Sequence, residues 1–355
     1  MEEVFNDQLS FADLDADKYL EFRRSHADRR INAMDRLDDR LVDELVLICR
    51  PYYHSKAHSG RPYLSLESMV RIHLLQISLN LSDLEMESYL MSDMVARRFC
   101  RLTFTRLGVS DSSILRFRRF IEQHGFAEKF LQRTIDIATE MGVCSQESVS
   151  ADATFIDAPG STKNQAHARD PEMASGKKAE TWHFGMKEHI IACALSGIIQ
   201  KAVAGPANEH DVTRLVDLLN GSETNVFLDS GYTGCYKRTD IKALKMNSVS
   251  WHVAAKPSTW KKELACSERI GGKIGEALAT VVNLARQLEH SKASIRCSVE
   301  WCFLWLKRIY GYSKTRYRGL HKNHSRAMML FGLYNWYRLN KWEERLRESC
   351  WRYRP

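Results

Sequence analysis

Residues 292–323 read KASIRCSVEWCFLWLKRIYGYSKTRYRGLHKN. From Arg296 to Lys307 this stretch carries one acid, Glu300, among Val299, Trp301, Phe303, Leu304, Trp305 and Leu306, which predicts an apolar helix. At about 100° per residue, Arg296, Glu300 and Lys307 fall within roughly 40° of one another on one face. The apolar residues take the remaining faces, so the helix is expected to be buried on most sides. A carboxylate in such a place is costly unless it is paired or binds a metal. Arg296 and Lys307 could make a structural cluster with Glu300, so a chemical role needs partners from elsewhere in the chain.

Composition narrows the classes. With 355 residues the chain can hold a sizeable core and two or three domains or subdomains. A hydrophobic share of 44% and a charged share of 27% are those of a soluble globular protein. The net charge of +8 is uneven: from Arg296 onward there are 14 Lys+Arg against 4 Asp+Glu, so the rest sums to about −2. A basic C-terminal stretch beside a carboxylate-bearing helix points to a polyanion near a chemical centre. The N-terminus has no signal-peptide pattern. The longest apolar run, 327–337, is too short to span a bilayer and contains Asn335, so no membrane is expected. Nine cysteines without a C-x-x-C pair argue for reduced thiols in a cytoplasmic protein and against structural zinc. Cys297 and Cys302 read as core.

Residues 1–145 read as an all-helical N-terminal domain for DNA binding or dimerisation. Gly60-Arg61-Pro62 punctuates before a helix that starts near Ser65, and Ser82 with Glu85 forms a capping box. Asp111-Ser112 can cap a helix with an apolar stripe of Leu115, Phe120 and Ile121, stopped by Gly125. Short helices and turns are compatible with a helix-turn-helix reader, in which Arg116, Arg118 and Arg119 could touch phosphates.

After Gly142 the texture changes. VSADATFIDA reads as a strand, and the polar stretch 161–181 as a mobile loop. Residues 182–194 and 198–204 form a hairpin turning at Ser196-Gly197, and a helix capped at Asn208 or Asp211 runs to Asn220-Gly221. NVFLDSGYTG is a buried strand and turn; a helix through Ile241 and Leu244 leads to the strand VSWHVAAK. The fold class is therefore α/β, a mixed sheet flanked by helices. The catalytic domain is placed at 146–340, with 256–291 as an insertion before the Glu300 helix and 341–355 as a basic tail.

Three acids occupy suggestive places. Asp152 lies in the first strand between Ala151 and Ala153, Asp229 ends the strand before the Gly-rich turn, and Glu300 is on the helix after the sheet. They are 77 and 71 residues apart, so only the fold could join them. Hard oxygen ligands suit Mg²⁺ or Mn²⁺, and two such ions about 3.5–4 Å apart would serve an in-line phosphoryl displacement. Lys314, Arg316, Tyr317, Arg318, Lys322 and Arg326 form a basic cluster with interleaved aromatics, suited to a DNA backbone. Trp182 reads as core, and His183 and Lys187 as possible DNA contacts. Asn208, His210 and Asp211 read as a helix start.

These stretches resemble a DDE transposase of the insertion-sequence type, in the group named for insertion sequence five. The resemblance rests on MVRIHLLQ, SILRFR, VSADATFIDAP, STKNQAHARDPEM, WHFGMKEHI, ANEHDV, DSGYTG and WHVA, and above all on R-x3-E-x6-K at Arg296, Glu300 and Lys307. It departs from relatives at Ala293, where some have tyrosine, and at Trp301-Cys302 after the glutamate. The resemblance implies a ribonuclease H-like domain in which Asp152, Asp229 and Glu300 are catalytic metal ligands, with Arg296 and Lys307 near the DNA ends. It implies two Mg²⁺ or Mn²⁺ ions, and as partners the terminal inverted repeats and target DNA. The reaction it implies is end cleavage and joining of 3′-OH ends to the target, in a bacterial, nucleoid-associated enzyme. A homodimer is expected because two ends must be joined. A non-catalytic DNA-binding protein derived from a transposase, and a plain nuclease of the same fold, remain open as alternatives.

Overall fold

The computed structural model describes residues 11–53, 64–102, 108–163, 167–178, 180–246, 248–270 and 272–352. The expected break at Gly60-Arg61-Pro62 lies outside them. Eight helices come first: α1 (Phe11–Ser25), α2 (Arg29–Asp35), α3 (Asp39–Cys49), α4 (Leu66–Leu79), α5 (Asp83–Ser92), α6 (Met94–Phe99), α7 (Asp111–Gln123) and α8 (Phe126–Glu140). Ser65 caps α4, and the capping box of Ser82 and Glu85 opens α5. The start of α7 differs by one residue from the expectation. Ser110 is its N-cap, and Asp111, inside the first turn, accepts a bond from the Ser112 amide.

Strands β1 (Ser148–Asp157), β2 (Ala174–Lys178), β3 (Thr181–Cys193) and β4 (Ile199–Pro206) follow, then α9 (Asp211–Leu218), β5 (Asn225–Leu228), α10 (Thr239–Ala243) and β6 (Ser250–Val253). The sheet runs β2-β3-β1-β5-β6, with β4 also on β3. The pairs β1–β3, β2–β3 and β3–β4 are antiparallel; β1–β5 and β5–β6 are parallel. The mixed sheet of the sequence reading is thus present. Part of the expected loop 161–181 is instead strand β2, an edge strand whose Ala-Ser-Gly-Lys-Lys sequence carries no β signal of its own.

Alternation along the strands divides the core. Val149, Ala151, Ile191, Val226 and Leu228 pack with Leu215, Leu218 and Ile241 from α9 and α10. Ile156, Met186 and Ile190 face the other way and share a cluster with Val299 and Cys302 of α12 (Gly272–Leu304), which follows α11 (Pro257–Ile270), and with Phe331 and Tyr334 of α13 (Leu320–Arg352). That cluster continues through α3, α4 and α8, so the N-terminal helices share their core with α13 and the sheet. Helices α8 and α13 pack so closely that a Cβ at Gly332 would meet the Phe130 ring at 2.4 Å. Buried Asn335 on α13 accepts from the Ile199 amide (2.8 Å) and donates to the Ile199 carbonyl (2.9 Å) and Thr134 Oγ1 (3.0 Å). The polar residue that interrupts the apolar run therefore ties the β4 edge to two helices. Residues 341–352 continue α13, and 256–291 comprise α11 and the first part of α12. Among the described residues no helix is long and apolar enough to cross a membrane.

Candidate active site

Strand register brings the two aspartates together. The parallel ladder pairs Ser148 with Asn225 and Ser150 with Phe227, an offset of 77 residues. Asp152 and Asp229 differ by the same 77, so extending the ladder by two residues sets them side by side. Two-residue alternation also gives them a common face. It is the face away from Val149, Ala151, Val226 and Leu228, hence the one on which α12 lies.

Asp152 Oδ1 accepts from the Ala153 amide at 2.8 Å, and Asp229 Oδ1 accepts from the Gly231 amide at 2.8 Å, capping the 3₁₀ turn Ser230–Tyr232. Burial raises the Asp152 pKa to about 6, against the Ala153 amide, which lowers it; Asp229 adds to the rise and Arg296 opposes it. On α12, Val299 and Cys302 point into the core while Glu300 stays 52% exposed. One guanidinium connects helix and sheet: Arg296 Nη2 donates to Glu300 Oε1 at 2.8 Å, and its Nη1 is 3.9 Å from Asp152 Oδ2.

The chemistry of this donor set fits a divalent cation in part. Two hard carboxylates share a partly buried face and repel each other, which a cation would relieve. Among the described residues, however, no three His, Cys, Asp or Glu side chains are gathered closely enough to hold a metal. Glu300 is turned onto Arg296 and would have to leave it to join the aspartates.

Two expectations for the Glu300 helix are corrected. It is not buried on most sides, since Trp301 is 57% and Leu304 41% exposed. Nor does the regular 100° spacing run through Lys307, because residues Trp305–Ile309 form a π-helical turn. Lys307 sits instead near Lys178 and Asp157, and burial followed by the Lys178 charge lowers its pKa.

Among the other basic residues, Lys314, Arg318 and Lys322 are exposed, as are Arg116 and Arg119 on α7. Arg316 is exposed but engaged, its Nε donating to Asn80 Oδ1 at 3.0 Å. Arg326 is buried against Tyr317 and Asn80, and Arg118 lies under the Tyr317 ring, paired with Asp83 and Glu122; neither presents a free cation to phosphate. Lys187 is likewise committed, donating to Asp211 Oδ1 (2.8 Å) and the Glu209 carbonyl (2.7 Å), and His183 Nδ1 lies 2.8 Å from Asp157. His210, making no side-chain capping bond, is the N-cap of α9, and Asp211 serves Lys187 rather than the cap. Trp182, read as core, is 69% exposed.

Residues with little local signal shape the basic segment. Asn323 accepts from the amides of Arg316 and Tyr317 and donates to the carbonyls of Tyr317 and Gly319. Asp170 and Glu172 accept from the amides of Gly319 and Leu320, satisfying donors at the start of α13. Asn80, in a left-handed conformation at the end of α4, donates to the Gly311 carbonyl and anchors the N-terminal helices there. Only Asn80 carried a local signal, as an asparagine helix stop.

A mixed sheet with paired aspartates under a glutamate-bearing helix is the arrangement that the resemblance to ribonuclease H-like domains leads one to expect. Residues 145–336, more than half of the chain, match the family model described as "Transposase DDE domain", and residues 22–120 match "Transposase domain (DUF772)". The chain belongs to the DDE transposase family and is a DNA transposase. No solved structure matches it.

Proposed function

We propose that this chain cuts the ends of its mobile element to free 3′-OH groups and joins them to target DNA, using Asp152, Asp229 and Glu300. The register that sets Asp152 beside Asp229 on the α12 face is the observation that carries this reading. Two Mg²⁺ or Mn²⁺ ions held there would activate the attacking oxygen and neutralise the leaving one. The protein holds the aspartates on paired strands, where they cannot separate. Arg296 occupies Glu300 in the free protein. An arriving phosphate offers Arg296 a bidentate partner and so releases Glu300 toward the aspartates. Lys314, Arg318 and Lys322 follow the DNA backbone, with Arg316 fixing the segment to Asn80. Lys307, and Arg116 and Arg119 on α7, add further phosphate contacts. Residues 1–145 form the DNA-docking and dimerisation part and 146–340 the catalytic part; the working unit is a homodimer, because two ends are joined in one event.

An end-cleavage and strand-transfer assay on duplexes bearing the natural element ends tests this. Wild type should nick the end in Mg²⁺ or Mn²⁺ and transfer a pre-cleaved 3′-OH end, and Asp229→Ala and Glu300→Gln should do neither. Nicking without transfer of the pre-cleaved end would make it a plain nuclease; binding without either step, a binder only.

A further inference from the structure

Helix α12 carries an apolar stripe that the described residues leave uncovered. It consists of Ile274, Leu278, Val281, Leu284 and Leu288, with exposures from 37% at Leu278 to 73% at Ile274. At about 100° per residue, all five lie within roughly 60° of Val281. Between Ile274 and Leu288 the other residues in that arc are Ala277 and Ala285, so no charge interrupts the stripe before Lys292. The adjoining side of the helix is taken by α11. A Cβ at Gly275 would meet the Ser267 carbonyl at 2.6 Å, and Val282, on the same side as Gly275, is buried. Five aliphatic side chains so exposed present roughly 500 Å² of apolar surface, toward the upper end of what a monomer leaves bare.

Two features select a second copy of this chain as the cover. The first is symmetry. Ile274 and Leu288 each stand seven residues from Val281, Ala277 and Ala285 four, Leu278 and Leu284 three. A two-fold axis through Val281 therefore sets aliphatic residues level with aliphatic ones and alanine level with alanine, as a self-complementary contact requires. The second is area. Burying the stripe on both copies removes roughly 1,000 Å² from water, about where specific interfaces begin. The direction of pairing follows from the rest of α12, which enters the core at Val299 and Cys302, about 16 Å beyond Leu288. An antiparallel pair sends the two cores to opposite ends, whereas a parallel pair crowds them at one end. We propose that α12 pairs antiparallel with α12 of a second copy, two-fold about Val281. The contact lies outside residues 1–145 and uses no catalytic residue, so it goes beyond the catalytic reading and does not depend on it.

The test is disulfide cross-linking of the full chain under mild oxidation, in a Cys266→Ser/Cys297→Ser/Cys350→Ser background. Val281→Cys should link to itself, because the axis brings its two copies together. Ile274→Cys and Leu288→Cys should each fail to link alone, their copies standing about 21 Å apart along the helices, and should link when mixed. Asn283→Cys, on the opposite side of α12, should not link. Adding Leu284→Asp to Val281→Cys should slow linking about tenfold or more, because it places a charge in the apolar contact. Asp229→Asn should leave the linking of Val281→Cys unchanged, so a failure of the catalytic reading does not alter this result. The proposal would be overturned by absence of linking in Val281→Cys, by a rate indifferent to Leu284→Asp, or by self-linking of both Ile274→Cys and Leu288→Cys.

Discussion

The two aspartates and the glutamate are held in different ways. Asp152 lies on, and Asp229 just past the end of, neighbouring parallel strands, their spacing set by backbone pairing and one oxygen of each engaged by an amide of the following turn or strand. Glu300 is on the exposed side of a helix, its position set by one side-chain pair with Arg296. The sheet therefore holds two like charges together, and burial, with a smaller contribution from Asp229, raises the pKa of Asp152. The helix holds its carboxylate by a contact that a competing anion can exchange. On the proposed reading, a rigid pair and an adjustable third member give a site that DNA completes on arrival.

The largest effect should erase the contrast. Asp152→Asn, Asp229→Asn and Glu300→Gln should each lower end cleavage by about a thousandfold or more, because each removes one hard ligand from the same centre. A milder loss for Glu300→Gln than for the aspartates would show that the helix member is dispensable.

Stability should separate them. The Asp152 pKa is raised from 3.8 to about 6 in the folded chain, so folding favours its protonated form. That contribution is complete below about pH 4 and is lost as pH rises through about 6, up to about 3 kcal/mol in metal-free protein. Denaturant titrations at pH 4 and pH 7 should show this loss in wild type and not in Asp152→Asn. Glu300→Gln, at an exposed pair, should change stability by less than about 1 kcal/mol at either pH.

Divalent metal sharpens the same difference. Mg²⁺ or Mn²⁺ at about one hundred times its dissociation constant should stabilise wild type by about 2.7 kcal/mol, read as a rise in Tm. Asp152→Asn and Asp229→Asn should show little of that rise, and Glu300→Gln an intermediate one. The smallest effect on the fold is expected for Arg296→Ala, within about 1 kcal/mol, because its pair with Glu300 is half exposed. That variant should still bind metal as well as wild type or better, yet bind end DNA more weakly, which calorimetry with each ligand would separate.

Much of this was legible in the chain. Ser65 and the Ser82–Glu85 box mark helix starts, and the strands of Asp152 and Asp229 announce themselves by buried, β-favouring runs between turn residues. Other features were hidden. Residues 174–178 are a strand only because β3 offers a free edge. Lys307 lies in a π-helical turn, and an apolar periodicity does not reveal one. Trp182 looked like core because its residue type usually is.

The order of elements, and the strand, strand end and helix on which the three acids sit, came from the sequence alone, because side-chain pattern and capping act over a few residues. That 77 residues of separation equal the register of β1 on β5, that Arg296 reaches from the helix to Asp152 on the sheet, and that Asn323 and Asn80 shape the basic segment were decided by the tertiary structure. Those are pairings between distant backbones and between side chains of different elements. Their energies depend on which surfaces meet, and no local pattern records that.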